Sequence, residues 1–162
     1  MTMWHASEQL SIAASPQVVW RVVADIEGHV SLAGSGEVKA IRMRGDLAAG
    51  ATFEGDIATG EVGSFVSRNV IETVDEPRRL AWVSYPPLDD DETEDHQIEV
   101  HWAFELTPDG VATMLTHTFT VPRPKAGADE LEAFLERTGR IATVRDGMRR
   151  TLENVRAAVA RA

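Results

Sequence analysis

The chain of 162 residues contains no cysteine. That excludes disulfides, thiolate nucleophiles and Cys-ligated zinc or iron–sulfur sites. Basic charge is scarce: 16 Lys and Arg stand against 26 Asp and Glu, for a formal net charge of −10. A nucleic-acid binder needs cations to displace the counterions of phosphate, so no nucleic-acid partner is expected. Docking on an anionic membrane surface is disfavoured for the same reason. Long apolar runs are missing too. No stretch approaches the roughly 20 residues of a membrane-spanning helix, so membrane insertion is not expected. Met1-Thr2-Met3-Trp4-His5 lacks the basic and apolar regions of a signal peptide, which makes the cytoplasm the expected location.

Catalytic signatures are absent as well. There is no Walker loop, no Gly-x-Ser-x-Gly elbow and no His-Glu-x-x-His. Gly45, Gly50, Gly55, Gly60 and Gly63 look regular, but each falls in or beside a hairpin turn. A phosphate loop needs a strand–loop–helix setting, which they do not have. What remains is an ordinary globular composition, 43% hydrophobic and 26% charged. The length suits one domain, 1–162.

Hydrophobic periodicity orders the elements. Leu10 and Ile12 alternate with polar neighbours in a first strand over Glu8 to Ala13. Ser15-Pro16 then reads as a helix start, Ser at the N-cap and Pro where no N–H is needed. Val19, Val22, Val23 and Ile26 share one helical face, Gly28 ends it, and a second short turn covers His29 to Ala33. Strands follow over Val38 to Arg44, Ala51 to Thr59, Ser64 to Val74, Arg79 to Tyr85, Gln97 to Leu106 and Val111 to Val121. Thr107-Pro108-Asp109-Gly110 reads as the last hairpin turn. From Leu131 onward, Phe134, Ile141, Met148, Leu152, Val155 and Val159 form one helical stripe, with a kink or break expected near Gly139. Six consecutive strands on short turns make an antiparallel meander. The C-terminal helix is its natural cover, and the space left between them is a natural apolar cavity.

Several segments carry a resemblance. They are Ser15-Pro16-Gln17-Val18-Val19-Trp20 with Ala24-Asp25-Ile26, Gly50-Ala51-Thr52-Phe53-Glu54-Gly55, and Val70-Ile71-Glu72 leading to Glu76-Pro77-Arg78-Arg79-Leu80-Ala81-Trp82. Trp102-Ala103-Phe104-Glu105-Leu106-Thr107-Pro108, Thr113-Met114-Leu115-Thr116-His117 and Gly147-Met148-Arg149-Arg150-Thr151-Leu152 continue it. The chain resembles the START-like (SRPBCC, Bet v 1-like) superfamily, most closely its bacterial polyketide cyclase/dehydrase-like branch. The resemblance implies an α+β helix-grip fold. In it a curved antiparallel sheet of six to seven strands wraps a long C-terminal helix, with one or two short helices after the first strand. It implies no cofactor, and a monomer or homodimer. Where relatives often carry Pro and Trp after the Asp of the first helix, this chain has Gly28-His29-Val30-Ser31-Leu32-Ala33-Gly34, so its entrance is expected to differ.

His117 shares strand parity with Leu115, Phe119 and Val121 and should face the core, where an imidazole can act as acid, base or hydrogen-bond partner. Arg68 shares parity with Val66 and Val70. Facing inward it would polarise a ligand carbonyl; facing outward it is a surface charge. These two are the catalytic candidates. The expected ligand-lining residues are Phe53, Ile57, Phe65, Trp82, Trp102, Phe104, Leu115, His117, Phe119, Phe134, Ile141 and Met148. Arg145 lies near the apolar stripe, positioned to pair with an acid at the cavity rim or to reach water. His96 and His101 are five apart, hence on opposite faces of a regular strand, and no metal site is expected from them. Asp89 to Asp95 holds six of the 26 acids in one solvated loop without the glycine-centred spacing of a calcium site.

Three functions compete. The first is binding of an apolar small molecule: a lipid, a polyketide or an aromatic metabolite. The second is a polyketide cyclase/dehydrase-like reaction using His117 and Arg68. The third is a protein-interaction role like that of Hsp90-activator-related members, with the acidic loop as docking patch.

Overall fold

Strands joined by short turns pair readily with their sequence neighbours in opposite directions. The computed structural model, which describes residues 1–162, shows the result: one sheet, antiparallel at every pairing. Its strands are β1 (Thr2–Ile12), β2 (Val38–Arg44), β3 (Thr52–Thr59), β4 (Gly63–Asp75), β5 (Arg79–Tyr85), β6 (Val100–Asp109) and β7 (Ala112–Pro122). Their spatial order is β1-β7-β6-β5-β4-β3-β2. Between β1 and β2 run the short helices α1 (Pro16–Val23) and α2 (His29–Leu32); after β7 come α3 (Ala128–Thr138) and α4 (Arg140–Arg161). The fold is the helix-grip α+β arrangement, and no helix is long and apolar enough to cross a membrane.

Alternation decides which face is inside. Along β7, Thr113, Leu115, His117, Phe119 and Val121 are buried while their neighbours are only half-buried. Register carries that face across the sheet: Leu106 lies opposite Leu115, Phe104 opposite His117, and Trp102 opposite Phe119. Helix α4 lays Met148, Leu152, Val155 and Val159 on the sheet at helical spacing. Each fully buried aliphatic side chain contributes about 1.5–3 kcal/mol. Helix α1 adds Val19, Trp20 and Val23. Ser15 occupies its N-cap position, but the cap is made by the Ser15 backbone carbonyl, not by the hydroxyl.

Some boundaries differ from the periodicity. Strand β1 starts at Thr2 rather than Glu8, because Trp4 and Ala6 extend the inward row that polar Glu8 interrupts. Strand β6 starts at Val100 rather than Gln97 and runs through Pro108 to Asp109, which pairs with Ala112. The turn therefore shrinks to Gly110-Val111, with Gly110 at φ +62°. Of the kink or break expected near Gly139, the break is found: its φ of +64° ends α3 and starts α4.

Candidate functional site

Because every pairing is antiparallel, the start of β1, the end of β7, the start of β6, the end of β5, the start of β4 and the end of β3 all lie at one end of the sheet. The first turns of α4 pack there. At the opposite end the core is closed: Ile12, Val19, Val23, Leu80, Leu115 and Val155 are buried almost completely. The first end is different. A small buried cluster of Ala6, Phe119, Val121 and Met148 is surrounded by apolar side chains that remain partly exposed, namely Trp4, Ile98, Val100, Trp102, Ile141 and Val144. The half-buried cross-strand pair Ile57 and Phe65 belongs to the same end. This incompletely packed apolar region between sheet and helix is termed the basin.

The basin has a defined rim. The acidic segment between β5 and β6 opens on this end and carries a short 3₁₀ turn over Glu94–His96. The Ala126 amide donates to the Asp95 carbonyl at 2.8 Å, tying that segment to the approach of α3. Helix α3 buries no residue, and Leu131, Phe134 and Leu135 stay half-exposed outside the core clusters. Arg140, next to Gly139, closes the other side of the rim with a two-pronged bond to Glu37 (2.6 and 2.7 Å) and a longer contact to Glu61 (3.8 Å).

Deeper in, an aromatic array leads from the basin to the closed end. The His117 ring stacks on Phe104 with centroids 4.1 Å apart and on Trp102 at 5.4 Å. Trp102 meets Phe119 at 5.2 Å and Trp82 at 6.4 Å. His29 closes the row, 5.5 Å from Trp82 and 5.9 Å from Phe104. Both imidazoles are buried and neutral. Burial pushes His117 down to about 4, against the smaller upward pull of its bond to Ala103, and nearby His29 adds to the lowering. Burial likewise lowers His29. Their tautomers follow from their partners, since a carbonyl can only accept. His117 donates from Nδ1 to Ala103 O (2.9 Å), leaving Nε2 with a lone pair. His29 donates from Nε2 to Val23 O (2.6 Å) and so fixes the α1–α2 turn.

Residues 3–160 match the family described as polyketide cyclase / dehydrase and lipid transport. The chain belongs to that family. No curated protein matches it by sequence. Among solved structures, it is similar to the Zhui aromatase/cyclase from Streptomyces sp. R1128, at 18% identity and TM-score 0.62, covering 98% of this chain and 94% of that one. It is also similar to TTHA0849 from Thermus thermophilus (20% identity, TM-score 0.63, 96% and 99% covered). A third is MLL2253 from Mesorhizobium loti (14%, TM-score 0.62, 98% of both chains). At these identities the likeness establishes the shared fold.

Within this family member, the residues singled out by sequence separate into three sets. Trp102, Ile141, Ile57 and Phe65 are half-buried at the open end, and Phe134 is half-buried on α3, where Arg137 lies over its ring at 5.7 Å. Phe53, Trp82, Phe104, Leu115, His117, Phe119 and Met148 are inward but buried; Leu115 and Phe104 are core rather than lining. Arg68 is apart from all of them. It lies opposite Glu54 and Tyr85 on the outer face, its guanidinium 5.0 Å from the Tyr85 ring centroid, beside a groove of ≈ 230 Å³ with Arg42, Arg44 and Thr52. Of the two placements left open for Arg68, the outward one is found: β4 turns Ser67, Asn69 and Ile71 inward, and Arg68 takes the opposite parity. Tyr85 is outward for the same reason.

Arg145 does pair with an acid: Glu8, the inward residue beside His117, takes Arg145 at 3.0 Å and Arg149 at 3.0 Å. His101 faces outward between Glu72 and Glu99. No three His, Asp or Glu side chains are grouped to hold a metal ion. Sequence reasoning missed His29, which lay in a short helix without strand parity to place it. It also missed a buried polar trio, in which Asn69 donates to Phe53 O (3.2 Å) and Ser67 Oγ (3.1 Å) and accepts from Ser84. The signal for the trio was three polar residues on the inward parity of β4 and β5.

Proposed function

We propose that this protein binds an apolar, ring-bearing small molecule at the open end of the sheet, against the first turns of α4. The observation that carries the reading is the contrast between the two ends. One is packed shut, whereas at the other Trp102, Val100, Ile98, Ile141 and Val144 keep exposed apolar surface around a shared cluster. Membership in a family whose description includes lipid transport supports it. Rings favour offset or edge-on contact with other rings, and the half-buried Trp102 belongs to an array with five others.

A cyclase-like reaction is the second reading, favoured by one observation: His117 keeps an unprotonated Nε2 on the inner face. Its low basicity limits that role. A base of pKa about 4 removes protons weakly near neutral pH, whereas it still accepts a hydrogen bond. Native mass spectrometry of the protein purified from its own host tests the binding reading. A retained small apolar mass, lost on organic extraction, is expected. Repeated recovery of ligand-free protein with a co-purifying protein would overturn it in favour of the interaction role.

A further inference from the structure

One side-chain nitrogen is buried without any hydrogen-bond partner: the indole Nε1 of Trp4. An indole nitrogen is a donor only, so nothing but an acceptor satisfies it. A dry, unpaired donor is unfavourable, and folded proteins pair nearly all of theirs. The rest of this core obeys that rule. His29, Asn69, Thr113, His117 and Thr151 all have partners.

The exception sits at the open end. Trp4 lies opposite Val121 near the start of β1 and packs on the small cluster of Ala6, Phe119, Val121 and Met148. Trp102, Ile141 and Val144 pack on the same cluster, stay partly exposed and bring no side-chain acceptor. A donor is therefore left unpaired beside a wholly apolar cluster whose outer edge is incompletely packed.

We propose that Trp4 is the polar anchor of this site, its indole N–H donating to a carbonyl or ether oxygen of an otherwise apolar ligand. This rests on the open end being an apolar-ligand site and adds a selection rule. An apolar basin ranks ligands by the area they bury; one unpaired donor in it ranks an oxygen-bearing ligand above its hydrocarbon isostere. The acceptor is neutral, because burying a carboxylate among these side chains costs more than one N–H returns.

The test uses 2-acetylnaphthalene and 2-isopropenylnaphthalene, which share a shape and differ by C=O against C=CH2. Both are titrated calorimetrically into the wild-type protein and into Trp4→Phe. The ketone-to-hydrocarbon affinity ratio is expected to fall about tenfold in Trp4→Phe; the double ratio cancels the probes' different hydrophobicity and any loss of apolar contact common to both. A second readout needs no substitution. In 15N-labelled wild-type protein one indole N–H proton moves downfield with the ketone and stays in place with the hydrocarbon. If both probes bind but the ratio is unchanged and no indole N–H moves, the Trp4 anchor is wrong and the apolar site stands. If neither probe binds saturably, the site reading falls, and the anchor with it.

Discussion

Gly34 lies against Gly147 so closely that a Cβ on Gly34 would stand 2.3 Å from the Gly147 carbonyl oxygen. The contact is sewn down on both sides. The Gly34 amide donates to Thr151 Oγ1 (2.9 Å), Arg150 donates to Gly34 O (3.2 Å), and Asn154 donates to Leu32 O (3.0 Å). The middle of α4 is thereby fixed to the segment after α2, while its first turns are left over the basin. Gly34→Ala should destabilise the protein by about 1–3 kcal/mol or more, since the backbone it meets cannot yield cheaply. Gly147→Ala should not: its Cβ would meet Ser35 at 3.4 Å, ordinary contact, and the helix gains up to about 1 kcal/mol of propensity. Urea unfolding of both variants checks the contrast, and equal destabilisation would contradict it.

The buried imidazoles make stability fall with acid. In the folded state His117 titrates at about 4 against an ordinary 6.5, so between those values the unfolded chain binds the proton more readily. Its contribution is fully present above pH 6.5 and is lost as pH falls toward 4. The loss amounts to about 3 kcal/mol for His117; His29 acts in the same direction. Replacing His117 by Phe should reduce the pH dependence of unfolding free energy in that window by up to one proton. An unchanged slope would show that His117 is not buried as described.

Arg140 and Glu37 tie the first turn of α4 to the start of β2, with side chains only 22% and 17% exposed. Arg140→Ala leaves Glu37 half-buried without its cation and should cost about 1–2 kcal/mol, between the values for surface and buried pairs. A double-mutant cycle with Glu37→Gln should return a coupling of similar size; additivity would mean the pair contributes nothing.

Arg68→Ala should leave small-molecule binding at the open end unchanged within about twofold, because Arg68 is on the far face of the sheet and additivity holds for distant sites. Isothermal titration with one apolar probe measures this. A tenfold loss would place a ligand on the outer face.

Periodicity made most of the fold legible. The strict alternation of Trp102, Phe104 and Leu106, matched by Leu115, His117 and Phe119, sets both the inward face and the inward direction of His117. Arg68 was not legible, because Val66 and Val70 flank it on the outer face, where Val66 stays exposed; an apolar neighbour on a sheet does not establish burial. Leu115 read as lining yet is core, since parity gives the face and not the depth. Trp4 was hidden for another reason. Polar Glu8 broke the inward row, and only its ion pairs with Arg145 and Arg149 explain why β1 continues inward past it.

The central claim is that the open end takes an apolar ligand against Trp102. The direct measurement is a fluorescence titration of the protein with N-phenyl-1-naphthylamine, alongside Trp102→Ala and Arg68→Ala. Saturable one-site binding is expected in the wild-type protein, weakened about tenfold or more in Trp102→Ala and unchanged in Arg68→Ala. Absence of saturable binding to the folded wild-type protein, or equal affinity in Trp102→Ala, would contradict the account.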